Sequence, residues 1–248
     1  MCGVALHCGK GKHSQTPQRI ESRPTSRAED FFDGTKEFTI EPRWRCVATL
    51  ALGRMVSQFG RASMTPLPYR LFVCGKNEID GFAGDSITHL LSLEDPGTPK
   101  ATPRWFRGTH EQFHFHDMDS EREAYTMSGI APNRDHVERI LKFGGRCLKA
   151  AGDGTPVTLL VHCYAGSSRS PAAAFALASQ ALGNTREREA LEYVLKLRPQ
   201  AVPNVLLVTL ADQILGAEGR LVRAIAPLRA NLQRELAEWI ASRRKKEF

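Results

Sequence analysis

A chain of 248 residues that is 42% hydrophobic, with twelve Phe and three Trp, can fill one ordinary core and carry an appendage, which excludes a wholly disordered protein. Its six cysteines are spread out with no paired CxxC motifs, which excludes a dense disulfide framework and predicts a reduced, cytoplasmic protein. The formal charge of +7 admits nucleic acid, acidic surfaces or a phosphorylated substrate without choosing among them, and no nucleic-acid-binding motif accompanies it.

Residues 1–60 read as an extension, partly disordered or loosely attached. The first 40 lack apolar periodicity, the apolar core of a signal peptide is missing, and no run reaches the roughly 18 apolar residues of a membrane span. Met1-Cys2-Gly3 admits an N-terminal cysteine nucleophile, a reading nothing else in the chain supports. Residues 44–59 have helix-compatible apolar spacing but are separated from the downstream chain by Pro66 and Pro68.

Residues 61–248 read as one catalytic domain. Tyr69 to Cys74, Ile87 to Leu93 and Glu111 to His116 are short runs rich in apolar, β-branched and aromatic residues, expected as strands. From Asn133 to Lys149 an apolar face of Val137, Ile140, Leu141 and Leu148 predicts a helix. Pro156 to Val161 is continuously apolar, as in a strand buried on both faces. Helices are expected over 171–182, 185–197, 205–215 and 218–243, with a capping box of Asn184 and Glu187, and with Gly183 and Gly216 ending helices. The basic run Arg243-Arg244-Lys245-Lys246 suits the end of the last helix. Strands alternating with helices predict an α/β fold: a central, mostly parallel sheet flanked by helices, with a helical C-terminal part. Such sheets bind ligands beyond their strands' carboxyl ends, where His162 and Cys163 fall.

The chemistry concentrates in Val161-His162-Cys163-Tyr164-Ala165-Gly166-Ser167-Ser168-Arg169-Ser170-Pro171. A small-residue loop between a buried strand and a helix can turn the amides of Tyr164, Ala165, Gly166, Ser167, Ser168 and Arg169 inward, and the helix N-terminus adds its own donors. This is a cradle for a dianion that also favours a thiolate. Arg169 offers a planar fork for two phosphoryl oxygens, where lysine would bring charge without the geometry. Ser170 is placed to donate to the sulfur. His162, on the opposite side of an extended strand from Cys163, is expected to fix the loop rather than act as a base.

These residues resemble the signature of the cysteine-dependent protein tyrosine phosphatase superfamily: His-Cys, five residues, Arg, then Ser or Thr. Phe115-His116-Asp117 before the signature and Ala211-Asp212-Gln213-Ile214-Leu215-Gly216 after it resemble a compact, dual-specificity-like group of bacterial phosphatases, over roughly residues 68–225. The resemblance implies a protein tyrosine phosphatase-like fold and hydrolysis of phosphomonoesters, phosphotyrosine or another phosphoprotein above all, through a cysteinyl-phosphate on Cys163. It implies no cofactor and no metal. It also implies a general acid on a separate loop, assigned to Asp117 with Asp119 as the alternative. Asp117 lies 46 residues before Cys163, further than compact members place the acid, and residues 120–131 are where a loop can absorb the excess. His114 and His116 with the two aspartates also invite a metal site, but lack a convincing third ligand. A phosphate-recognition module without turnover and a rhodanese-like sulfurtransferase are the alternatives from other classes.

Overall fold

The computed structural model describes residues 65–244. The N-terminal extension, the Cys2 reading and the expected helix over 44–59 lie outside the described residues, as do Lys245 and Lys246.

Four strands form one sheet in the order β1-β4-β2-β3, every neighbouring pair parallel: β1 (Arg70–Gly75), β2 (His89–Glu94), β3 (Thr109–His114) and β4 (Thr158–Cys163). β3 starts and ends two residues before the expected position, so Phe115 and His116 lie past its carboxyl end. A 3₁₀ turn (Lys76–Phe82) follows β1. The helices are α1 (Glu121–Thr126), α2 (Arg134–Gly152), α3 (Arg169–Leu182), α4 (Glu187–Leu197), α5 (Val205–Ile214) and α6 (Arg220–Arg244).

Period-two alternation divides the strands between two cores. Leu71, Val73, Leu159, Val161 and Cys163 face the main core with the buried sides of α2, α3, α4, α5 and α6. Cys74, Leu90 and Leu160 face a smaller core closed by Ile87, Phe106 and the half-buried Phe82 and Trp105. β4 is central and buried at every residue, as its continuous apolar run requires. It therefore delivers Cys163 at a fixed height and on a fixed face.

Asn133 caps α2, its side chain accepting from the His136 amide at 3.0 Å. Gly183 and Gly216 adopt φ of 81° and 63° at the ends of α3 and α5, as expected of helix-terminating glycines. The capping box on Asn184 does not form. Arg186 holds the cap position of α4, and the Glu187 carboxylate accepts instead from the Thr185 amide at 3.2 Å and from Arg220 at 2.7 Å. An ion pair to another helix outbids the local box because it satisfies a carboxylate that is itself buried.

Candidate active site

The segment after β4 curls tightly at Gly166, whose φ is 70°. A Cβ there would sit 2.5 Å from the Gly75 nitrogen and 2.6 Å from the Cys74 carbonyl carbon, so glycine is required by conformation and by space together.

Each loop carbonyl is engaged by a donor outside the curl. Tyr164 O accepts from the Lys76 amide at 3.0 Å, and Ser167 O from Val202 at 2.8 Å. Ser168 O accepts from Ala172 at 3.0 Å and Asn204 at 3.3 Å. Ala165 O and Gly166 O accept from Nη2 and Nε of Arg198, each at 3.1 Å. The remaining Arg198 nitrogen, Nη1, pairs with Glu78 at 2.8 Å, and Glu78 also accepts from the Gly75 amide at 2.6 Å. With the carbonyls of residues 164–168 turned outward, the loop presents its N–H edge to the interior, where the Gly166 amide points at Cys163 Sγ, 3.3 Å away.

Cys163 is buried, and Ser170 Oγ donates to its sulfur at 3.2 Å. Arg169 opens α3 and folds back under the loop, only 4% exposed. Its Nη1 donates to Asp95 at 2.7 Å and to the Phe115 carbonyl at 2.8 Å, while Nε is buried without a hydrogen-bond partner. Asp95 follows β2 and carries no local motif; its role in holding the arginine was not visible in the sequence.

Asp117 and Asp119 go to different places. Asp117 Oδ1 accepts from Ser168 Oγ at 2.6 Å and from Asn204 Nδ2 at 3.0 Å, which puts this carboxyl on the rim of the loop. Asp119 turns away: it accepts from the Val205 amide at 3.1 Å, where α5 begins, and forms an ion pair with Arg229. Asn204 joins the two regions. Fully buried, it donates to Asp117 and to the Met118 carbonyl at 2.9 Å, and its own oxygen caps α5 by accepting from Leu207 at 2.9 Å.

His162 lies on the opposite sheet face from Cys163, as strand alternation required. Its Nε2 is 2.5 Å from Ser92 Oγ, which is also 2.8 Å from Nε2 of His110. Burial pushes the pKa of His162 down to about 4, and His110 to about 4 for the same first reason, so both rings are neutral at pH 7. His114 and His116 are not poised together as ligands. His114 Nε2 lies 2.9 Å from the Thr98 carbonyl, and His116 Nδ1 accepts from the Ile130 amide at 2.9 Å. Among the described residues no three metal-ligating side chains gather.

No family model matches the chain, and no curated protein matches it. Solved structures similar to it include phosphatases. DUSP15 is 21% identical over 66% of this chain and 93% of that one, with a TM-score of 0.45. The Yvh1 phosphatase domain from Chaetomium thermophilum is 23% identical over 63% and 95%, with a TM-score of 0.43. Human DUSP28 is 19% identical over 59% and 92%, with a TM-score of 0.45. The likeness to the cysteine-dependent protein tyrosine phosphatase superfamily rests on the chain's own residues, a parallel sheet that delivers His162-Cys163 into a loop closed by Arg169-Ser170.

Proposed function

We propose that the protein hydrolyses phosphomonoesters, phosphotyrosine or another phosphoprotein above all, with Cys163 as nucleophile, Arg169 as phosphoryl clamp and Asp117 as general acid. One observation carries the reading: a loop whose carbonyls are all held outward turns the Gly166 amide onto a cysteine sulfur, beside a buried arginine nitrogen that still needs an acceptor. A tetrahedral dianion satisfies both demands.

In the first half-reaction the Cys163 thiolate attacks phosphorus. The sulfur–phosphorus bond forms as the ester oxygen leaves with its electron pair and takes a proton from Asp117. Loop amides and the Arg169 fork hold the equatorial oxygens as their charge redistributes. In the second half-reaction Asp117, now a carboxylate, takes a proton from water as that water attacks phosphorus. The sulfur–phosphorus bond breaks, Ser170 steadies the departing thiolate, and inorganic phosphate leaves. Both protein donors to Asp117 use Oδ1, so Oδ2 is the oxygen assigned to carry the proton. Asp119 suits the role less, because acting as acid would cost its ion pair with Arg229.

The test is phosphate release from phosphotyrosine, phosphoserine and phosphothreonine peptides, phosphoinositides and an activated aryl phosphate, by the parent and by Cys163→Ser. The parent is expected to turn over the phosphotyrosine peptide and the aryl phosphate, and the variant to lose turnover while still binding vanadate. Activity in Cys163→Ser within tenfold of the parent would sink the mechanism.

A further inference from the structure

α6 carries one apolar stripe that serves two surroundings. Leu221, Ile225 and Leu228 lie in the main core, and the same stripe continues at three- and four-residue spacing through Leu232, Leu236 and Ile240, with Trp239 beside it. These last four are 40–55% exposed. The change comes one turn after Arg229, which is tied to the Pro203 carbonyl and to Asp119, just where α5 begins. α5 starts beside the catalytic loop, through Asn204. The second half of α6 therefore runs past the body on the side where the loop opens, by about 12 Å between Leu232 and Ile240. Because the stripe keeps its side, it faces the space in front of the loop.

We infer that this overhanging stripe is a substrate ridge, which holds large apolar side chains of a phosphorylated polypeptide segment while its phosphoresidue occupies the Cys163 loop. The inference rests on the proposed phosphatase reading. A flat lipid surface does not fit the ridge, since a plane laid on Leu232 to Ile240 would run into the body that covers Leu221 to Leu228. A second copy gains little, because the exposed apolar area of these four side chains is on the order of 400 Å², below the roughly 800 Å² each partner of a stable dimer buries. Leu232 is linked to the loop through Ser168, Asp117, Asp119 and Arg229 in succession, a path on the order of 15 Å that about 4–6 residues of extended chain can follow. Tyr164 and Ile130, 68% and 50% exposed, extend apolar surface around the loop itself.

The experiment compares kcat/KM for a phosphotyrosine peptide with two leucines about 4–7 positions from the phosphoresidue, on either side, with the same peptide carrying serines there, and with a small aryl phosphate. The full chain is expected to favour one leucine peptide about tenfold, chiefly through KM, as half-burying two leucines would give. The double variant Leu236→Ser with Ile240→Ser should erase that preference and leave the aryl phosphate rate and the melting temperature unchanged. No preference in the parent, or a preference that survives in the variant, overturns the ridge. Loss of turnover on every substrate overturns the phosphatase reading instead, and anisotropy with the same labelled peptides then still reads the ridge. Sedimentation as a dimer by the parent and as a monomer by the variant, or parent binding to phosphatidylserine vesicles that the variant loses, would reassign the stripe and overturn the proposal.

Discussion

Asn204→Ala separates the positioning of Asp117, the proposed acid, from its chemistry. The native side chain is fully buried and makes three bonds: to Asp117, to the Met118 carbonyl, and from the Leu207 amide at the start of α5. Losing the cap costs about 1 kcal/mol. Stranding the buried Met118 carbonyl costs about 1–3 kcal/mol more, since alanine offers no donor and the site is closed to bulk water. The expected loss is about 2–4 kcal/mol, visible as a lower urea midpoint at unchanged m. The functional effect is separate. Asp117 keeps Ser168 but loses its second donor, so the carboxyl wanders from the leaving oxygen; kcat on phosphotyrosine should fall about 10–100-fold. An activated aryl phosphate, whose phenolate leaves with little help, should fall much less. Asn204→Asp is the companion variant: it keeps the capping oxygen for Leu207 but offers no amide donor to the Met118 carbonyl and sets a buried carboxylate against Asp117, so it should lose at least as much stability and at least as much activity. Equal losses on both substrates in both variants would refute the claim that Asn204 acts through the acid.

Asp117→Asn should slow phosphotyrosine far more than the activated aryl phosphate, whereas Asp119→Asn should chiefly lower stability by unpairing Arg229; the reverse pattern moves the acid to Asp119. Gly166→Ala must combine a φ of 70° with a clash against rigid β1 backbone, so vanadate affinity and kcat/KM should each fall at least about tenfold; parent-like vanadate affinity would show that the curl can open without cost. Stability should decline in acid through His162. Its folded pKa of about 4 lies below the unfolded 6.5, so below pH 6.5 the unfolded chain binds a proton that the folded one refuses, and stability is lost as pH falls through that window. For His162 alone the loss is up to about 2 kcal/mol between pH 6.5 and about pH 5, read as the difference in slope between the parent and His162→Asn; identical slopes would refute it.

What could be read in the sequence was local, and what could not was bound through space. β4 was legible because a strand buried on both faces must be apolar throughout, and the loop because a cysteine, an arginine six residues on and a following serine are set by one short curl. Asn133 announced α2 through a bond to an amide three residues away. Asp95, Arg198, Glu78 and Asn204 have no such signature. Arg169 meets Asp95 across 74 residues, Arg198 meets Glu78 across 120 and Asn204 meets Asp117 across 87, so only the sheet order brings them together. The failed Asn184 box has the same cause: Glu187 had a local partner available in the pattern and a distant one, Arg220, in the fold.

The spacing of Asp117, the proposed acid, shows how non-local closure can decouple reach from a count of residues. Asp117 stands 46 residues before Cys163, yet it reaches Ser168 on the loop at 2.6 Å. Part of the intervening length lies in an excursion with closed ends. The His116 amide donates to the Ile130 carbonyl at 2.7 Å, and the Ile130 amide returns a bond to His116 Nδ1 at 2.9 Å, so the chain comes back to the point it left. Between those ends Ser120 caps α1, the Glu123 carboxylate accepts from the Asp119 amide at 2.8 Å, and Gly129 packs against the end of the Met118 side chain. A loop closed this way adds residues without shifting either end, and its entropic cost grows only slowly with length. The physical constraint on a general acid is its reach to the leaving oxygen, and for Asp117 in the proposed role that reach is set by Ser168 and Asn204 rather than by the number of residues between Asp117 and Cys163.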